Sequence, residues 1–192
     1  NLWCYEFDYN KDHNNDGFSE LPLLKNNSFG ITSFYLPKEN HKFELSISNL
    51  NEYRFGGEMR GTSFVYEREQ AEERTHRVWM ASADYQINFN GDLSSLIVYS
   101  AYQHTYRSHY TGIIPDDTLA LTAHYANPPY GISNVSTMNI GVQLNHKLES
   151  FLTIGPNIFT FGAELLYDDV FDEIPSYGYL IDQEIQDLGM FL

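Results

Sequence analysis

Apolar and polar residues take turns along most of this chain, and that two-residue period is its strongest structural signal. From Val78 onward, Trp79, Ala81, Ala83, Tyr85, Ile87 and Phe89 share one face. Met80, Ser82, Asp84, Gln86 and Asn88 share the other. Successive side chains of an extended strand point to opposite sides, so the stretch predicts a strand with one oily side and one wet side. Asn90-Gly91-Asp92 follows, residues suited to a tight hairpin. A second long strand is predicted from Leu93 to about His109.

The same rhythm returns downstream. Leu119, Leu121, Ala123 and Tyr125 oppose Thr118, Thr122 and His124. Met138, Ile140, Val142 and Leu144 oppose Thr137, Asn139, Gln143 and Asn145. Phe159, Phe161, Ala163, Leu165 and Tyr167 oppose Thr160, Gly162, Glu164 and Asp168. Upstream, Trp3, Tyr5, Phe7 and Tyr9 form an aromatic stripe facing Cys4, Glu6 and Asp8. Weaker segments lie near 28–36, 41–50 and 60–68, and 184–192 reads as the start of a further strand. About ten strands are predicted, with no amphipathic helix among them. Loops are expected at the Asn/Asp-rich 10–20, at the charged run between Arg68 and Arg77 (Glu69, Gln70, Ala71, Glu72, Glu73, Arg74), and from Asn127 to Asn134. The stretches 76–90, 93–109 and 153–168 exceed the usual strand of ~5–6 residues and suffice for the ~9–11 that cross a membrane at a tilt.

Composition sharpens this picture. Hydrophobic residues make up 42% of the 192, and 16% are aromatic, with 15 Tyr and 13 Phe. Tyr and Phe in bulk suit strands and water–lipid interfaces better than a Leu/Ile/Val core. A net charge of −15 argues against nucleic acid, which needs clustered Lys and Arg, and against an anionic cytoplasmic leaflet. One cysteine, Cys4, excludes an internal disulfide framework and a Cys-rich zinc site. No run approaches the ~18 apolar residues of a membrane-spanning helix, but a barrel hides its apolar residues at every second position. With no initiator Met and no signal peptide, the chain reads as a mature form or an excised segment.

The polar faces separate two architectures. A membrane barrel turns its oily face to hydrocarbon and fills its inside with Thr, Asn, Gln, Ser, Asp and His. A soluble sandwich or lipocalin-like barrel buries its oily face and normally carries many exposed Lys and Glu on the other. Asn, Thr, Ser and Gln dominate here, which favours the membrane barrel.

Three segments add a resemblance. Leu96 to Tyr110 (LIVYSAYQHTYRSHY) is a run of small and aromatic residues closing on an Arg- and Tyr-containing turn. Leu148 to Tyr167 (LESFLTIGPNIFTFGAELLY) places a short turn and Thr-Ile-Gly-Pro before an aromatic strand. Ile181 to Leu192 (IDQEIQDLGMFL) leads from an acidic, Gln-containing stretch into a Gly-containing strand. From about Thr75 onward the chain thereby resembles the β-domain of bacterial autotransporters, whereas residues 1–74 match little. The resemblance implies an up-and-down antiparallel barrel of about twelve strands, solitary and without a passenger. It further implies a single domain over residues 1–192 that is truncated at its C-terminus.

Candidate chemistry is sparse. Asp12-His13-Asn14-Asn15-Asp16-Gly17-Phe18-Ser19-Glu20 reproduces the first half of a calcium loop, with oxygen ligands at alternate positions and a glycine at the sharp turn. Its metal ligands would be Asp12, Asn14, Asp16, the Phe18 carbonyl and Glu20, making Ca²⁺ the one cofactor candidate. The position that calls for a bidentate carboxylate is Leu23, so affinity in the range of roughly 10⁻⁴–10⁻³ M is expected. The ordinary reading is an acidic turn, since Asn, Asp and Gly are what turns use. His104, Ser108, His109 and Asp116 or Asp117 suggest a hydrolase triad, but there is no Gly-x-Ser-x-Gly elbow, and a triad is a matter of geometry. Glu164, Asp168 and Asp84 on inward faces suit a cation-preferring lumen, or ordinary polar filling paired with Arg54, Arg60 or Arg77. Gly56, Gly57 and Gly61 fit bends in curved strands.

The sequence thus predicts an all-β, antiparallel up-and-down transmembrane β-barrel of the bacterial outer membrane. Its expected role is non-enzymatic: a porin-like pore, a translocator or a surface scaffold. Its expected partners are outer-membrane lipid, the barrel assembly machinery and small solutes, with no nucleic acid. Two alternatives stay open: an outer-membrane barrel hydrolase acting on lipid, and a soluble β-sandwich or lipocalin-like binding protein.

Overall fold

The computed structural model describes residues 12–59, 64–148 and 155–192. They form one antiparallel sheet of seven strands in simple sequence order: β1 (Leu23–Lys38), β2 (His41–Gly57), β3 (Gln70–Phe89), β4 (Ser94–Ile113), β5 (Tyr130–Leu148), β6 (Asn157–Ile174) and β7 (Tyr179–Phe191). The architecture is all-β and up-and-down, with each strand paired to its sequence neighbours. β3 and β4 reach 20 residues each, and the shortest strand has 13. Among the described residues β1 and β7 do not pair, so the sheet is open where a closed barrel was expected.

Seven described strands replace the ten expected. The aromatic stripe Trp3 to Tyr9 lies outside the described residues, as does part of the 60–68 segment, whose remainder holds a 3-10 turn at Val65–Glu67. The segment from Leu119 to Tyr125 is a helix, α1 (Thr118–Ala126), where a strand was expected. Asp117 caps it by accepting a hydrogen bond from the Ala120 N–H at 2.9 Å, and Thr-Leu-Ala-Leu-Thr-Ala supplies strong helix formers. The charged run from Gln70 to Arg74 is strand, not loop. Pairing continues there because β2 and β4 offer ladder partners on both sides, whatever the side chains. β5 likewise begins at Tyr130, inside an expected loop.

Connections differ between the two ends of the sheet. At one end β1 and β2 are joined by Glu39 and Asn40, and β3 and β4 by residues 90–93. At the other, residues 58–69 join β2 to β3, and residues 114–129, including α1, join β4 to β5; only the β6–β7 turn there is short. Asn90, Gly91 and Asp92 all adopt positive φ (57°, 62° and 65°), which bends the chain back tightly. Asn40 ties the two short turns together, since its side chain donates to the Asn88 carbonyl at 2.8 Å while its own carbonyl accepts from the Asn88 N–H.

Almost no apolar core lies under the sheet. Phe55, Ala71 and Tyr110 are the buried hydrophobic residues among those described, all at the long-loop end. No described helix is long and apolar enough to cross a membrane.

Gly91 tests the short-turn end. A Cβ there meets nothing within 4 Å, so only its φ of 62° opposes a side chain. Gly91→Val is expected to cost about 1–2 kcal/mol, read as a lower denaturant midpoint at unchanged slope.

Candidate functional site

Cross-strand partners lie on the same side of a sheet, so the register sorts the side chains into rows. One row runs Tyr35, Phe43, Tyr85, Val98, Val142, Ala163 and Met190 across all seven strands. The next runs Ser33, Leu45, Ala83, Ser100, Ile140, Leu165 and Leu188. The apolar faces read from sequence therefore merge into one continuous belt. The opposite side carries Thr32, Ser46, Ser82, Ala101, Asn139, Leu166 and Asp187 in one row.

The belt is the more exposed of the two sides. Val98, Val142 and Phe161 are 44%, 40% and 55% exposed. On the polar side Gly131, Ser133, Gly141 and Gly162 are buried. Rings lie over glycines of the next strand there: Tyr99 over Gly141, His109 over Gly131 and Phe191 over Gly162. A sheet in water normally hides its oily side; here the polar side is the more enclosed of the two, with Thr32, Ala101 and Asp187 still exposed on it.

The carboxylates expected on that enclosed side are present. Glu44, Asp84 and Glu164 share a row with Tyr99 and Gly141. Their expected arginine partners are not the ones found. Glu164 accepts from the Tyr99 hydroxyl at 2.9 Å, and Asp168 accepts from the Thr137 hydroxyl at 2.6 Å. Arg54 instead pairs with Glu52 at 2.8 Å. Arg77 points to the belt side, with its guanidinium 5.9 Å from the Tyr106 ring centre. Arg60 and Gly61 lie outside the described residues.

At the long-loop end, beyond the belt, the oily side is capped by an aromatic cluster. Fully buried Tyr110 stacks near Tyr130 (5.2 Å), and Tyr66 of the 58–69 loop packs edge-on to Tyr130. His124 of α1 donates its Nε2–H to the Tyr66 carbonyl at 2.8 Å, locking helix to loop. Tyr53 and Tyr130 both donate to Glu73, one to each oxygen, at 2.9 and 3.3 Å. Burial first, then the Glu73 carboxylate, pushes the Tyr130 phenol up to about 12, so it remains a donor across the physiological range. Sequence reading missed this cluster because its members come from four separate segments.

The acidic turn also sits at the long-loop end. Asp12, Asp16 and Glu20 bring carboxylate oxygens within 4.8 Å of one another, a donor set that suits a hard cation such as calcium. The same oxygens accept backbone N–H groups: Asp12 from Asn15 and Gly17, Asp16 from Phe18, Glu20 from His13. Asn14 accepts from the Asp16 N–H at 2.9 Å. The turn's shape is thus accounted for by its own hydrogen bonds, and Leu23 opens β1. The Phe18–Glu58 bridge and the Ser19 N–H to Gly57 carbonyl bond dock it against the end of β2.

The hydrolase candidates do not assemble. His104 and Ser108 lie on the belt side of β4, His109 on the enclosed side, and His104 meets the Ser136 hydroxyl at 3.0 Å. Asp117 is occupied in capping α1.

Comparison with family models, with curated proteins and with solved structures returned no match.

Gly141 tests the ring-over-glycine packing. A Cβ there overlaps the Tyr99 ring, so Gly141→Val must evict Tyr99 from Glu164. The expected loss is about 1–3 kcal/mol, and adding Tyr99→Ala should recover part of it in a double-mutant cycle.

Proposed function

We propose that this chain is a non-enzymatic, integral β-barrel protein of the bacterial outer membrane, of autotransporter-like type, serving as a pore, translocator or surface scaffold. The observation that carries the reading is the sidedness of the sheet: a seven-strand apolar belt on the exposed side and polar residues on the enclosed one. Full burial of one Val, Leu, Ile, Phe or Met side chain is worth about 1.5–3 kcal/mol. Water leaves much of that gain unrealised over the whole belt, whereas hydrocarbon supplies an apolar neighbour for every residue in it.

Dimensions agree with that solvent. On β3 the belt runs from Trp79 to Phe89. At ~3.4 Å per residue and a tilt of ~45°, this spans about 24 Å, close to the ~25 Å apolar band of outer-membrane barrels. Trp79, Tyr102 and Tyr167 stand toward its long-loop border, and Phe89 and Phe159 toward the other. Such barrels carry aromatic girdles, short turns on one side and longer loops on the other. The reading also requires partners for the β1 and β7 edges inside the bilayer, where an unpaired N–H or C=O is costly. Lipid and the barrel assembly machinery are the partners it implies, with small solutes as cargo of a pore.

Two neighbouring substitutions test it. Ile140 belongs to the belt and Asn139 to the enclosed side. In detergent micelles, Ile140→Arg is expected to destabilise the fold by about 2–4 kcal/mol and Asn139→Arg by much less. The parent chain should gain β structure and heat-modifiable gel mobility only with detergent. Folding in plain buffer, with Ile140→Arg harmless, would instead establish the soluble architecture.

A further inference from the structure

The enclosed side changes character toward the long-loop end, where basic side chains gather on three adjacent strands. Arg54 of β2 and Arg74 of β3 are direct cross-strand partners, and Arg74 is in turn the partner of His109 on β4. In the next row His76 and Arg107 are direct partners. The whole chain holds only 11 Lys and Arg against 26 Asp and Glu, so three arginines and two histidines on one patch is a marked concentration. Like charges placed directly opposite one another destabilise a sheet, and nothing in the strand ladder requires arginine at both positions.

Carboxylates meet part of this demand. Arg54 pairs with Glu52 and Arg74 with Glu72, both at 2.8 Å, and Arg107 reaches Asp172 at 3.4 Å. Each arginine offers five N–H donors, so these single carboxylates leave donors over. In the neighbouring row and beside it, Arg107 Nε, His76 Nε2, His109 Nδ1 and Asp172 Oδ1 are buried without a hydrogen-bond partner. Beside the patch opens a cavity of about 760 Å³ whose polar walls include Arg54, Arg74, Gln70 and Thr111, with Glu72 held by Arg74. Two guanidiniums placed directly opposite each other, with donors left over and a cavity beside them, offer a place for a further acceptor.

We propose that this patch binds an anion of the phosphate class, taken from solution and held between Arg54 and Arg74 in the cavity that both line. Planar guanidinium forks match phosphate oxygens two at a time, and an anion between Arg54 and Arg74 converts their repulsion into shared attraction. The proposal rests on the membrane-barrel reading only for the route of access, from the long-loop end of the enclosed side.

The test is equilibrium dialysis of the full chain against radiolabelled inorganic phosphate, in whichever medium, neutral detergent or plain buffer, gives its β-sheet circular dichroism. One saturable site is expected, weakened at least tenfold (about 1.4 kcal/mol) by Arg54→Gln with Arg74→Gln. Arg77→Gln removes the same charge from the belt side of β3 and should leave binding unchanged. If the double variant does not fold, Arg54→Lys with Arg74→Lys keeps the charge, loses the forks and should still bind more weakly. Absence of saturable binding, or an equal loss in Arg77→Gln, overturns the site. Adding anionic phospholipid to the micelles should not displace phosphate; displacement would overturn the assignment to a solution anion in favour of a lipid headgroup. The folding medium judges the membrane reading and the dialysis judges this one, so either can fail alone.

Discussion

The interstrand hydrogen-bond ladder carries this structure, because almost nothing else is available to do so. An ordinary sheet is pinned by the oily layer it buries, and here the buried apolar residues among those described reduce to Phe55, Ala71 and Tyr110 at one end. Over the rest of the sheet, strands of 13 to 20 residues are held by continuous pairing. Ladder bonds exposed to water contribute little net stability, since water competes for both partners. The same ladder in an apolar solvent is close to obligatory. Side chains are sorted by face around that ladder: the oily side is broad, and the enclosed side carries polar pairs such as Tyr99 with Glu164 and Thr137 with Asp168.

Much of this was legible in the chain itself. Alternation located most of β3, β4 and β6 and the middle of β5, and it assigned the two faces of β3 correctly from Trp79 to Phe89, because a period of two is a direct image of strand geometry. Asn90-Gly91-Asp92 announced its turn for an equally local reason, the tolerance of these residues for positive φ. Misreadings came where alternation and chemistry diverge. Thr118 to Tyr125 alternates by accident, and the capping Asp117 before Ala- and Leu-rich sequence was the overlooked signal. Gln70 to Arg74 looked like a loop by its charges, yet a strand that outruns its apolar belt has no reason to stay apolar.

Site residues were legible only where the relevant neighbours are close in sequence. The acidic turn from Asp12 to Glu20 makes the local bonds its Asn/Asp/Gly content implies. The pairing of Glu73 with Tyr53 and Tyr130, or of Arg54 with Arg74, depends on register, which no single strand encodes. His104, Ser108 and His109 show the converse: closeness in sequence put them in one hypothesis, and strand alternation divides them between opposite sides.

Strict neighbour-to-neighbour pairing has a consequence for how the chain reaches this state. No described strand waits for a distant segment; each needs only the one just before it, and the joining segments range from two residues at 39–40 to the stretch 114–129. Loop-closure entropy grows slowly with length, so every such step is cheap. Assembly can therefore proceed as a zipper, one hairpin at a time from any starting pair, with a low contact order despite the all-β composition. If the sheet closes on itself, the joining of its two outer rails is the single long-range event, and the search for that seam governs the rate.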